Sequence, residues 1–184
     1  MAQQLRVAGL IQLILIVVVW LSNDIAVVAW QAEPKNVKDY YLLIPEKFIL
    51  LSRETREQLL SDPGMTVDIG NGYLSYNASD NPEEFELALF KRPDSSYLVA
   101  FSIPYDSDFP DNTSLLYFLR YEKGSWRDVT KETLPLPFNK RLTYRLPRLG
   151  TTIKVINEKG KKVYDLIWSG GKFEIVPMKG GQVR

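Results

Sequence analysis

Along most of the chain apolar and polar positions alternate with a period of two, the pattern of strands with one face buried. Residues 66–69 and 73–76 flank Asn71-Gly72, a pair that accepts the positive φ values of a type I′ hairpin turn. Residues 84–91 (EFELALFK) set Phe85, Leu87 and Leu89 against Glu84, Glu86 and Ala88. Residues 97–103 (YLVAFSI) place Tyr97, Val99, Phe101 and Ile103 on one face, and residues 115–122 (LLYFLRYE) turn through Lys123-Gly124 into 126–129. The stretch 130–148 holds Pro135, Pro137 and Pro147 and reads as extended or irregular connection. Three further strands, 152–157, 162–168 and 172–176, are separated by Glu158-Lys159-Gly160 and Ser169-Gly170-Gly171. Eight or nine strands on short turns predict a mainly β fold, an antiparallel meander closed as a barrel or a sandwich.

One helix precedes these strands. Ser52 is suited to cap residues 52–60 (SRETREQLL), Glu54 lies in the first turn where the helix dipole favours it, and Asp62-Pro63-Gly64 ends the run. Leu51, Leu59 and Leu60 are its expected buried stripe. Residues 39–51 (DYYLLIPEKFILL) are apolar and broken by Pro45, while the polar residues 30–38 read as a linker.

The first thirty residues break the alternation. Arg6 and the amino terminus are followed by residues 7–21, which are apolar except for Gln12. About fifteen apolar residues match the core of a secretory signal, whereas a membrane span needs about twenty. Small residues at Val27-Val28-Ala29 suit cleavage between Ala29 and Trp30, which would leave residues 30–184 as an exported chain. The alternative is a retained anchor with its domain outside the cytoplasm, because 25–30 resumes the apolar run. The domain is expected over 39–178, with 179–184 as a flexible tail.

Composition removes many chemistries. The 184 residues include no His and no Cys, so disulfides, thiolate nucleophiles, Ser-His-Asp triads and Cys/His zinc sites are excluded. The 23 Lys+Arg against 22 Asp+Glu, net +1, show no basic excess for nucleic acid. No cofactor-binding motif is present: the glycine turns at 70–72 and 169–171 precede strands, not the helix N-terminus that cradles phosphate.

The remaining candidates are few. Glu83, Glu84 and Glu86 lie together, and Glu84 and Glu86 share a strand face about 7 Å apart, within reach of a glycosidase acid/base pair. Alternating glutamates are also what a solvated strand face looks like, and that reading is preferred. Asp106, Asp108, Asp111 and Asn112 (in DSDFPDN) begin like a calcium loop, but Phe109-Pro110 and Tyr117 depart from the EF-hand pattern, so a turn is preferred. Asn77-Ala78-Ser79 and Asn112-Thr113-Ser114 match the glycosylation sequon. Lys159, Lys161 and Lys162 decorate one hairpin tip, with Lys154 nearby.

Aromatic residues are the notable excess, with 10 Tyr, 8 Phe and 4 Trp. Tyr97, Tyr121, Trp126 and Trp168 fall on strands or near strand ends, where exposed rings could hold a protein or glycan partner. The expectation is an exported, non-enzymatic envelope protein that binds an envelope or extracellular protein or glycan through aromatic contacts or strand addition. A barrel-type carrier of a small apolar or glycan ligand and a carboxylate-dependent hydrolase are the alternatives.

Overall fold

The polar stretch ahead of the strands is helical sooner than its composition suggests. A computed structural model describes residues 33–77, 84–104 and 114–177; the expected cleavage pair Ala29 and Trp30, Glu83, and the candidate calcium ligands Asp106, Asp108, Asp111 and Asn112 lie outside them. Helix α1 (Val37–Leu43) starts inside the expected 30–38 linker because Asn36 caps it, accepting from the amides of Lys38 and Asp39 at 3.0 and 3.1 Å. Pro45 ends it by opening the short α2 (Glu46–Ile49). Helix α3 (Arg53–Leu59) stands where expected, with Ser52 Oγ accepting the Thr55 amide at 3.1 Å. Its fully buried residue is Arg56, whereas the leucines are half-buried; the Arg56 guanidinium donates to the Tyr41 carbonyl and lies over the Tyr41 ring. Among the described residues three short helices, rather than the one expected, therefore precede the strands.

The strands form two antiparallel sheets. The larger holds β1 (Met65–Asp68), β2 (Tyr73–Tyr76), β3 (Phe85–Lys91), β4 (Tyr97–Ile103), β5 (Leu115–Glu122) and β6 (Ser125–Asp128) in sequential order. The one-turn helix α4 (Thr130–Thr133) follows. The smaller sheet runs, again in sequential order, through β7 (Thr143–Arg145), β8 (Thr152–Ile156), β9 (Lys162–Trp168) and β10 (Phe173–Pro177). The fold is mainly β and each sheet is a meander, as the alternation predicts. Strand β7 was hidden between prolines, although Leu142, Tyr144 and Leu146 carry the period-two signal and all three pack in the core.

Two hydrophobic cores lie on opposite faces of the larger sheet. Between the sheets, Ala88, Phe90, Leu98, Ala100 and Phe118 meet Tyr144, Ile153, Val155, Leu166, Trp168 and Phe173. On the other face Leu74, Phe85, Leu87, Val99, Phe101 and Leu119 meet Val37, Tyr40, Tyr41, Ile44 and Phe48 of the helices. Burial of both faces explains why β3 and β4 are almost continuously buried. Among the described residues no helix is long and apolar enough to cross a membrane.

The first hairpin differs from expectation. Asp68 pairs with Tyr73, so four residues, 69–72, make the turn, and only Gly72 of the Asn71-Gly72 pair has positive φ, at 64°. Asp68 closes the loop by accepting from the Asn71 amide at 3.2 Å and from its side chain at 3.0 Å. A Cβ at Gly72 would stand 3.1 Å from Leu89 Cβ. Gly72→Ala combines left-handed strain with that close approach and is expected to lower stability by about 1–3 kcal/mol, read from the urea midpoint. An unchanged midpoint would show that the loop re-forms without cost.

Candidate binding site

Register brings three of the four aromatic candidates into one row. Lys123 and Gly124 both have positive φ, 50° and 79°, so a two-residue turn sets Trp126 of β6 opposite Tyr121 of β5. One step beyond the Leu98–Arg120 pair, the same antiparallel register places Tyr97 of β4 beside Tyr121. All three project onto the helix-covered face, where Tyr40 of α1 closes over them. The Tyr40 ring lies 6.1 Å from Tyr97 at 73° and 6.1 Å from Trp126 at 76°, and Tyr121 and Trp126 are 5.2 Å apart at 57°. Tyr40 is buried, while the other three are half-buried, at the end of the sheet formed by the four-residue edge strand β6.

Two polar atoms of this cluster are left unsatisfied. Trp126 Nε1 and the Tyr121 hydroxyl are both withdrawn from solvent and without a hydrogen-bond partner. Each such orphan costs about 1–3 kcal/mol; among the described residues Tyr41 Oη, Arg120 Nε and Asp165 Oδ1 are also buried without a partner. Burial, followed by the neighbouring Tyr97, Glu33 and Tyr121, pushes the Tyr40 phenol above its ordinary value and keeps it neutral. The cluster thus consists of edge-on rings with neutral, buried polar groups rather than charge.

Trp168 belongs elsewhere. It is buried between the sheets beside Phe90 and Phe173, and its indole N–H donates to the Lys91 carbonyl at 2.9 Å. A tryptophan so placed is a core residue, not a surface contact. Sequence reasoning also passed over Tyr40, because a ring on an unexpected helix gives no sign of which strand it will face.

The glutamates do not form a solvated strand face. Glu86 is buried, Glu84 is half-buried, and both side chains reach Arg145 of β7. Glu86 Oε2 also accepts the Leu146 amide at 2.5 Å. Burial raises the Glu86 pKa against the opposing pull of the Leu146 amide and Arg145. Ser102 Oγ donates to the Tyr144 carbonyl at 2.7 Å, and Ser114 Oγ to the Leu142 carbonyl at 2.6 Å. Side chains of the larger sheet thereby satisfy the backbone along and beside β7. These carboxylates act as ties between the sheets.

No family model matches the chain. No curated protein matches it in sequence either. The fold itself has a counterpart. A solved structure of a domain of an uncharacterized protein from Porphyromonas gingivalis W83 is similar, with a TM-score of 0.50 and 14% identity over 80% of this chain and 98% of that one. At that identity the likeness concerns the fold alone. Among the described residues no group of three or more Asp or Glu is placed to hold a metal ion.

Proposed function

We propose that the chain is an exported, non-enzymatic binding module for an envelope or extracellular macromolecule, and that Tyr40, Tyr97, Tyr121 and Trp126 form its contact surface. The observation that carries this reading is the convergence of three half-buried rings at a sheet edge with two unanswered polar atoms among them. Aromatic side chains give large contact area at low entropic cost, which is why interface energy concentrates on them. Export is supported by the apolar segment 7–21, and the absence of Cys agrees with a domain whose two cores replace disulfides. Large side chains, including Phe90, Phe118, Tyr144, Trp168 and Phe173, occupy the space between the sheets, which favours surface contact over an enclosed ligand.

The test is crosslinked purification of the C-terminally tagged full chain from its host, comparing wild type with Trp126→Ala and Tyr121→Ala. The expected result is a mature terminus at Trp30 and a specific envelope component that drops at least about tenfold in both variants, the scale of a central interface aromatic. Equal recovery by all three proteins would remove the cluster from the interface. An intact first segment recovered with membrane proteins would replace secretion by anchoring.

A further inference from the structure

The aromatic cluster lies at the β6 edge of the larger sheet, and strand β1 forms the opposite edge. We infer that β1 is a self-association edge, pairing antiparallel with β1 of a second copy about a two-fold axis at Val67. The Asn77 amide donates to the Gly64 carbonyl at 3.0 Å, which fixes 64, 66 and 68 as the positions whose backbone groups turn inward to β2. Residues 65, 67 and 69 therefore direct theirs to the open side. The Met65 amide is taken by the Asp62 carbonyl at 3.0 Å, and the Ile69 carbonyl by the Gly72 amide at 3.2 Å. Among the described residues that leaves the Met65 carbonyl, both groups of Val67 and the Ile69 amide without a backbone partner.

This set is complementary to itself, as an isologous interface requires. With Val67 facing Val67, each Val67 amide donates to the other's carbonyl, and each Ile69 amide donates to the Met65 carbonyl across the axis. Every free group is then used. Slipping the register by two residues either way sets a Val67 group against one already taken. The side chains agree. Met65 packs against the helix-side core, and Val67 and Ile69 continue its parity at 37% and 58% exposure. The pairing sets Met65 beside Ile69 and Val67 beside Val67, so the apolar row is covered rather than left in water. On the other face Thr66 meets Asp68, a hydroxyl against a carboxylate, and no like charges face each other.

The other three edges are protected. Side chains of Glu86, Ser102 and Ser114 answer the backbone along and beside β7. Strand β10 carries Glu174 and ends in Pro177, and β6 carries Arg127 and Asp128 and runs directly into α4. Strand β1 has no lysine, proline or bulge, and its one charge, Asp68, is held by Arg148 at 2.9 Å. The pair forms one continuous sheet from two six-stranded halves, with an aromatic cluster at each outer end.

The experiment uses the full chain in neutral detergent, where the absence of native Cys lets single cysteines report contact. Val67→Cys is expected to give a disulfide-linked dimer on mild oxidation, since facing residues of a hydrogen-bonded antiparallel pair are about 5.5 Å apart at Cα, within disulfide reach. Met65→Cys and Ile69→Cys are each expected to stay uncrosslinked alone and to form a mixed dimer when combined. Arg127→Cys, on the opposite edge, is expected to stay uncrosslinked. Sedimentation velocity of the wild type is expected to show a reversible dimer. Val67→Lys sets two ammonium groups face to face without touching the ladder to β2, and is expected to raise the dimer dissociation constant at least about tenfold. Trp126→Ala is expected to leave that constant unchanged.

A wild-type chain that stays monomeric at the highest attainable concentration would overturn the inference. So would crosslinking of Met65→Cys alone as readily as in the mixture, because the register would then be wrong. A dimer equally strong in Val67→Lys would place the association elsewhere in the chain, and the β1 edge would be set aside.

Discussion

Phe85→Ala is expected to cost about 3–5 kcal/mol, a large share of the total stability of an ordinary domain. Phe85 lies in the helix-side core, stacked 5.7 Å from Tyr41 and 5.7 Å from Tyr76, with Phe101 at 5.8 Å. Removing its ring leaves a cavity between three large side chains that cannot all move into it. Among the described residues the helices meet the larger sheet through side chains, since the backbone hydrogen bonds of α1 to α3 stay within that layer. The loss should therefore appear first as faster amide exchange in α1, with β3 to β5 still protected. Urea unfolding measures the total, and the thermal midpoint should fall by about 10 °C or more. Phe85→Leu, which keeps most of the volume, should cost far less. A loss under about 1 kcal/mol for the alanine variant would mean that the helix layer is not anchored there.

Glu86→Ala is expected to cost about 2–4 kcal/mol, whereas Glu86→Gln is close to neutral at about pH 7. The alanine leaves the Leu146 amide without its acceptor and Arg145 with Glu84 alone. The glutamine carbonyl can still accept from Leu146. The groups that face Glu86 are Arg145 of β7, Glu84 just before β3 and Tyr73 of β2, and burial outweighs them to raise its pKa. A carboxyl raised in the folded state stabilises fully below its unfolded value, about 4.3, and that contribution is lost as pH rises through the higher folded value. The stability difference between wild type and Glu86→Gln should therefore shift in favour of wild type as pH falls from about 7 towards about 4.5. Asp68 and Asp94 act in the opposite sense at lower pH. Hydrogen bonds from Asn71 and Arg148 hold Asp68, and those from Ser96 hold Asp94, below the ordinary carboxylate range. Both are common to the two proteins and cancel in the difference. A flat difference curve would show that Glu86 ionises as freely as an exposed glutamate.

What was legible in the chain follows from local chemistry. Ser52 marks a helix start because its hydroxyl suits an orphan amide, and Lys123-Gly124 marks a turn because its backbone can take positive φ. Alternation in 84–91 and 97–103 located two central strands and assigned Tyr97, Val99, Phe101 and Ile103 to one face. The same rule failed at Glu86, which it assigned to water. Polar residues on an alternating strand are solvated only if nothing covers that face, and here a second sheet covers it and takes up their hydrogen-bonding capacity in the backbone beside β7.

The sequence by itself determined the mainly β class, the meander order within each sheet and the absence of His and Cys chemistry, because propensity, turn preference and composition are properties of neighbours along the chain. Only the tertiary structure decided that the larger sheet is buried on both faces, that Trp168 is core, and that Tyr40 joins Tyr97, Tyr121 and Trp126 around two unanswered polar atoms. Those outcomes depend on which surfaces meet across tens of residues, and a one-dimensional pattern gives the parity of a side chain but not what lies opposite it.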